Sequence, residues 1–227
     1  MDKPLPLSTK KRPRQSRSQE TFELIVETAG RLLDEVGFEQ LTTNLVCERA
    51  GLTPPALYRY FPNKYALLRE LGDRIMQLQD EAVFRWIDAG GPAGDTTAEQ
   101  IRRLLTLQTE IIELTRNFPG NIAIMRALRA APPLHDLRIA SRDAVAQRLS
   151  IVLARTFPSI PAETLRVHTK LSTELMYAAT EMVLEEGGPD AALLTEEACR
   201  VFVVALETLE AAHGGQGERP GRSRARG

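Results

Sequence analysis

The chain's most conspicuous chemical resource is a crowd of cations at its start. Lys3, Lys10, Lys11, Arg12, Arg14 and Arg17 face only Asp2 within the first nineteen residues, a net charge of +5. Arg219, Arg222, Arg224 and Arg226 face only Glu218 at the other end, a net +3. The whole 227-residue chain sums to −1, so the body between these tails is acidic, near −9. A basic arm beside an acidic domain offers charge to a polyanion, nucleic acid above all; a solubilising tail has the same composition. Catalytic chemistry finds less support. The three histidines, His135, His168 and His213, are too far apart to pair by spacing. Glu181, Glu185 and Glu186 read as one solvated helix face. No phosphate-binding glycine loop, metal-binding histidine pair or nucleophile elbow occurs. Cys47 and Cys199 are too few for a zinc site or a disulfide framework, so no cofactor, metal or enzymatic activity is expected. His135 and His168 serve either as polar anchors for a ligand or as structural histidines, and Cys47 either as a redox switch or as a small core residue.

The elements that must position any site are helices. Hydrophobic residues make up 43% of the chain, an ordinary globular balance. They recur every three or four positions, with no sustained alternation of period two, which predicts an all-α fold of about nine helices. The first is expected from about Ser18, as N-cap, to Val36, with Gly37 stopping it. Two very short helices follow, about Thr43–Ala50 and from Thr53 to Phe61; a long one spans about Lys64–Ala89. Beyond Gly90-Gly91-Pro92 the spacing predicts helices over Thr96–Asn117, Gly120–Ala130, Leu134–Thr156, Ala162–Glu186 and Ala191–Ala212, each separated by a proline-containing break. No run approaches the ~20 apolar residues of a membrane span, and residues 1–19 are too polar for a signal peptide. A cytoplasmic protein with no membrane partner is expected. The domain boundaries read as a basic arm at 1–17, a small helical unit at 18–64, a larger one at 65–213 and a basic tail at 214–227.

Leu41–Phe61 holds the informative motif. Val46, Cys47, Ala50, Leu52 and Leu57 have the spacing of two short helices packed across a tight turn, with Gly51 where the backbone must be permissive. Thr53 is placed to cap the second helix and Pro54 to open it. This is the pattern of a helix-turn-helix whose second helix fits a major groove. An incidental pair of short core helices gives the same pattern.

The order Thr42-Thr43, then Glu48-Arg49-Ala50-Gly51-Leu52, then Leu57-Tyr58-Arg59-Tyr60-Phe61-Pro62-Asn63-Lys64 with Ala66-Leu67-Leu68 resembles the TetR family of bacterial transcriptional repressors. The resemblance covers about residues 18–70. It implies a helix-turn-helix reading head on an all-helical effector-binding and dimerisation domain. By resemblance, Thr42, Thr43, Tyr58 and Lys64 contact phosphate, and Tyr60 lies at the groove. The recognition surface is then Thr53, Pro54, Pro55 and Ala56, with Asn44 from the preceding helix. Arg59 either adds a phosphate contact or is a solvated arginine. Many family members carry a side-chain donor at positions 54–55; Pro54-Pro55 supply none, which leaves base readout to thymine methyls, Thr53 and Asn44. The basic arm Lys10–Arg17 is placed to reach phosphates or a minor groove.

Two further expectations concern the larger unit. A cavity for a small apolar or aromatic effector is expected among Phe84, Leu104, Leu107, Ile111, Phe118, Met125, Leu128, Met176 and Tyr177; the same stripes also read as plain core. Homodimerisation is expected through the last two helices, at Leu171, Leu175, Met182, Val201, Phe202, Leu206 and Leu209. The reading is therefore a dimeric, ligand-responsive repressor that binds operator DNA. An effector-independent DNA-binding regulator of the same fold, and an all-helical small-molecule-binding protein or enzyme with an incidental helix-turn-helix, stand as alternatives.

Overall fold

A computed structural model describes residues 6–10, 16–92, 94 and 96–214. Most of the basic arm, with Lys3, Lys11, Arg12 and Arg14, and the basic tail beyond Gly214 lie outside the described residues. Among those described there are nine α-helices and no strand: α1 Ser16–Gln40, α2 Thr43–Ala50, α3 Pro54–Tyr58, α4 Lys64–Asp88, α5 Thr97–Arg116, α6 Asn121–Ala130, α7 His135–Thr156, α8 Ala162–Glu186 and α9 Ala191–Gly214. A short 3-10 turn, Pro132–Leu134, leads into α7.

Helix ends follow from local chemistry. The Thr42 side chain accepts from the Leu45 amide, Asn63 from Ala66 and Thr96 from Glu99, so three helices open on capping oxygens. Two expectations at α1 need correction. The helix begins at Ser16, so Ser18 lies inside its first turn rather than capping it. At Gly37 the backbone turns to φ 70°, as a stop requires, but a further helical turn runs on to Gln40 across the kink.

The apolar faces assemble two cores. The first gathers Phe22, Ile25, Leu32, Val46, Leu57, Phe61, Leu67 and Ile75 with Ile124 and Leu128 of α6. Phe22 stacks on Phe61 at 5.0 Å and meets Tyr60 edge-on at 5.7 Å. The second gathers Ala82 and Ile87 with Leu104, Leu107, Leu149, Leu153, Leu165, Phe202 and Leu206. The division between cores falls within α4, past Met76, and α6 packs with the N-terminal helices.

The reading head is clamped to the body at two places. The Gly120 amide donates to Asp34 Oδ2 at 2.8 Å, and Gly120 holds φ 79°. A Cβ there would stand 2.8 Å from the Gly30 carbonyl, so a glycine is needed for both space and dihedral. Nearby, Arg74 of α4 grips Glu23 of α1 through two nitrogens at 2.6 and 2.9 Å and holds Glu70 through Nε at 3.0 Å. That guanidinium holds the Glu23 carboxyl below its ordinary range.

Candidate nucleic-acid interface and interior cavity

α2 and α3 are tied across their turn. Gly51 is left-handed at φ 65°, ψ 31°; its amide donates to Glu48 O and the Leu52 amide to Cys47 O, at 3.2 and 2.9 Å. Thr43 Oγ1 and Tyr58 Oη share a hydrogen bond of 3.0 Å, which joins the start of α2 to the end of α3. Thr42, Asn44, Thr53, Pro54, Pro55, Tyr58 and Arg59 are exposed, with Thr43 and Ala56 half-buried beside them. One surface thus presents hydroxyls, an amide, a phenol and a guanidinium, which is hydrogen-bonding chemistry suited to phosphates and base edges.

Thr53 departs from its expected capping role: its side chain makes no capping bond, and its carbonyl accepts the Ala56 and Leu57 amides instead. Pro54-Pro55 fill the first helical positions, where an N–H has no intrahelical partner to lose. Tyr60 needs a larger correction. It is only 3% exposed and lies against Phe22 in the first core, so its ring is packing rather than a groove contact. The reason is register: Tyr60 follows the end of α3 and turns inward with Leu57 and Phe61. Lys64, at the first turn of α4, holds its Nζ 4.7 Å from the Phe38 ring centroid and 5.9 Å from that of Tyr65.

The motif also has neighbours that its pattern did not reveal. The Lys10 amide donates to Tyr60 O at 2.9 Å and its Nζ to Tyr58 O at 3.2 Å, while Asn63 Nδ2 donates to Pro6 O at 3.0 Å. Residues 6–10 therefore lie along the link between α3 and α4. Arg49 is held by Glu35 at 2.8 Å.

The second core encloses a cavity of about 50 Å³. Leu104, Leu107, Ile111, Met176 and Tyr177 line it as the apolar stripes suggested. Four expected lining residues do not. Phe84 faces Arg148, whose guanidinium carbon sits 4.6 Å from its ring, because its neighbours Val83 and Trp86 take the inward face of α4. Phe118, Met125 and Leu128 pack into the first core, since α6 belongs there. The lining residues missed are six polar ones, Gln79, Asp80, Gln108, Ser172, Thr173 and Thr180, and five apolar or aromatic ones, Val83, Trp86, Val145, Leu149 and Phe202. The available signal was polar residues at helical spacing inside apolar stripes, as in Gln79-Val83-Trp86.

These polar groups are ordered. Gln79 Nε2 donates to Thr115 Oγ1 at 2.7 Å, and Gln108 Nε2 to Thr180 Oγ1 at 2.6 Å and to the Met176 carbonyl. Ser141 Oγ donates to Asp80 at 2.7 Å and lies 2.7 Å from Tyr177 Oη. Burial pushes the Asp80 carboxyl up to about 6 and raises the Tyr177 phenol. Gln79 Oε1 and Trp86 Nε1 are buried with no hydrogen-bond partner among the described residues. His168 lies outside the cavity, 5.4 Å from the Phe202 ring, with its pKa lowered by burial. His135 is exposed at the start of α7. Both cysteines are buried thiols, with Cys199 pushed up to about 12 and Cys47 raised as well, an environment that keeps a thiol unreactive.

On the outer side of α8 and α9, Leu171, Met182 and Val201 are exposed and Leu175 half-buried. Phe202 and Leu206, grouped with them by spacing, are instead 3% and 1% exposed, and Leu209 packs half-buried on the second core. α9 carries two apolar stripes, and periodicity merged them.

Comparison with known proteins follows this division. Residues 25–71 match the family described as "Bacterial regulatory proteins, tetR family", and residues 98–204 match "Tetracyclin repressor-like, C-terminal domain". Together the two matches cover more than half of the chain, and the chain belongs to the TetR family. It is 31% identical over 120 residues to the nucleoid occlusion factor SlmA of Actinobacillus pleuropneumoniae, over 52% of this chain and 54% of that protein. It is 45% identical over 56 residues to the class C tetracycline repressor protein of Escherichia coli, 25% of this chain and 26% of that one. The chain thus spans about half or less of the curated relatives it matches. Among solved structures it is similar in fold to GusR of Salmonella enterica, with a TM-score of 0.58 at 19% identity over 88% of this chain and all of the other. The fatty acid degradation regulator FadR of Bacillus halodurans gives 0.59 at 16% identity, over 86% and 97%. No helix among the described residues is long and apolar enough to cross a membrane.

Proposed function

We propose that this protein is a sequence-specific DNA-binding transcriptional regulator, a repressor released from its operator by a small molecule bound in the second core. The observation that carries the reading is the exposed row on α2 and α3, braced by the Thr43–Tyr58 bond and set at one end of α4. From Lys64 at that end to Asp80 at the cavity, α4 rises ~24 Å at 1.5 Å per residue. One rigid element therefore touches both the DNA-facing end and the cavity.

The cavity's size supports the coupling. A volume of about 50 Å³ holds a few waters, less than most ligands need. An effector must push α4 away from α7 and α8 to enter. It then favours one tilt of α4 over another, and that differential affinity is what shifts the population off DNA. Two copies would pair through the outer faces of α8 and α9, where Val167, Leu171, Met182, Val201 and Val204 are 43–70% exposed. A two-fold pair places two reading heads on successive major grooves. The protein would act in the cytoplasm, with no catalytic activity.

The test is a salt titration on duplex DNA from upstream of the protein's own gene, with a scrambled duplex alongside. Binding ~10³-fold tighter to the first supports the reading. Equal, weak and steeply salt-dependent binding to both overturns it. Lys64→Ala is expected to reduce the slope of log affinity on log salt by about 1, as loss of one phosphate contact does. The alternative is a DNA-binding protein of this fold with no small-molecule effector. Operator binding that no ligand weakens, under conditions where ligand demonstrably enters the cavity, would select it.

A further inference from the structure

Two polar atoms on the cavity's lining residues are buried without partners, the Gln79 Oε1 acceptor and the Trp86 Nε1 donor, and the Asp80 carboxyl stands beside the first. Thr115 Oγ1 gives its own proton to the Ile111 carbonyl at 2.7 Å, so it receives the Gln79 amide as an acceptor. That fixes the orientation of Gln79, a lining residue 1% exposed, and leaves its buried Oε1 with no donor. Beside it, Asp80 accepts one hydrogen bond, from Ser141. With the Ser141 proton committed to Asp80, Tyr177 must donate to Ser141, so the relay runs Tyr177 to Ser141 to Asp80 and ends on the carboxylate.

No cation compensates Asp80 among the described residues. On α7, Arg138 pairs through Nη1 with Glu174 at 2.5 Å, its Nε buried without a partner among the described residues, and Arg148 pairs with Asp88 at 2.6 Å. Arg142 binds both Asp143 and Glu174. α5 faces the cavity with Leu104, Leu107, Gln108 and Ile111, α8 with Tyr177 and uncharged neighbours, and α9 with Phe202. The other polar lining residues, Gln108, Ser172, Thr173 and Thr180, have hydrogen-bond partners of their own, and the carboxylate with the buried amide carbonyl matches a group that carries positive charge and several N–H donors at once.

We infer that the ligand of this cavity is an organic amine, bound as its ammonium to Asp80 and Gln79 Oε1, on an apolar or aromatic body. This rests on the reading of the cavity as the effector site and names the chemical class that site takes. Ionised Asp80 is the binding form. With its carboxyl at about 6, amine affinity rises from pH 5 to pH 7.5.

The chain's one tryptophan, Trp86, lines the cavity, so its fluorescence reports occupancy in the full-length protein. Titrations with 4-phenylbutylamine, 4-phenylbutan-1-ol and 4-phenylbutyrate hold the apolar body constant and vary the head. The amine is expected to bind about tenfold or more tighter than the alcohol at pH 7.5, the carboxylate weakest of the three. Asp80→Asn should bring the amine to the alcohol's affinity. A pH series on the unmutated protein tests the same point without a variant: the amine's advantage over the alcohol should shrink toward pH 5. Equal binding of amine and alcohol, or an advantage indifferent to pH and to Asp80→Asn, overturns the amine while leaving the cavity an effector site. Failure of all three to bind overturns both.

Discussion

The two halves of α4 run through different materials. From Ala66 to Met76 it crosses a core in which Phe61, Leu67, Leu68, Ile75 and Leu128 are at most 1% exposed, and the Glu70 carboxylate at its edge is paired with Arg74. From Gln79 to Ile87 it borders a core threaded with buried Gln79, Gln108, Ser172, Thr173 and Thr180, a cavity and two unpartnered polar atoms. A dense apolar interior transmits displacement because nothing in it can yield. A polar-lined cavity offers alternative arrangements at small cost. The contrast gives the half of α4 beside the helix-turn-helix a rigid surround and the other half a yielding one.

Truncation should expose the contrast most strongly. Phe61→Ala removes a fully buried ring stacked at 5.0 Å on Phe22 and is expected to cost about 3–5 kcal/mol. Leu107→Ala, whose side chain already borders free volume, should fall at the low end of the range for such changes, about 2 kcal/mol. Urea unfolding midpoints of the two variants decide the point. Equal losses would mean that the second core is as tightly packed as the first.

The next effect depends on pH. Burial raises the folded-state carboxyl of Asp80 from 3.8 to about 6, so the folded chain holds this proton more firmly than the unfolded chain. Between about pH 4 and 6 the unfolded chain gives it up first, and this residue's contribution to stability falls as pH rises through that window. At pH 7.5 ionised Asp80 then costs up to roughly 3 kcal/mol, from about two pKa units. Asp80→Asn should be more stable than the parent at pH 7.5 and no more stable at pH 4, as thermal melts would show. A variant less stable at pH 7.5 would mean that a cation compensates the carboxylate.

What the sequence made legible follows the same division. Thr42, Gly51, Pro54 and Asn63 act locally, through caps, a left-handed turn and a proline, so the span and turn of the helix-turn-helix follow from residue types. Tyr60 was misplaced because one residue of register past the end of α3 decides between surface and core, and an aromatic fits either. The cavity was half legible. Leu104, Leu107, Ile111 and Met176 repeat at helical spacing, but Phe118, Met125 and Leu128 repeat as well and pack elsewhere, because periodicity gives a face and not the partner of that face. Asp80 and Gln79 were illegible because polar residues within a helix look like its solvent side until the neighbouring helices are in place.

A smaller effect tests the first region on its own terms. The Thr42 hydroxyl caps α2 at 3.1 Å, whereas that of Thr53 makes no cap. Thr42→Ala should cost about 1 kcal/mol of stability and Thr53→Ala roughly a few tenths, even though both occupy N-cap positions. If both variants also weaken operator binding, Thr53 acts through DNA and Thr42 through DNA and folding together.

The smallest expected change in stability bears most directly on the contrast. Gln79→Leu removes one hydrogen bond, to Thr115, and with it a buried carbonyl that has no donor. Losing the bond costs about 1 kcal/mol, while removing an unsatisfied buried acceptor returns about 1–3 kcal/mol. Thr115 keeps its bond to Ile111, so nothing new is stranded. The variant should therefore melt within about 1 kcal/mol of the parent or slightly above it. A polar residue whose loss leaves folding unharmed is kept for something other than folding. A loss beyond about 2 kcal/mol would place a structural hydrogen-bond donor on Gln79 Oε1, a buried water being the simplest. The second core would then be as fully satisfied as the first.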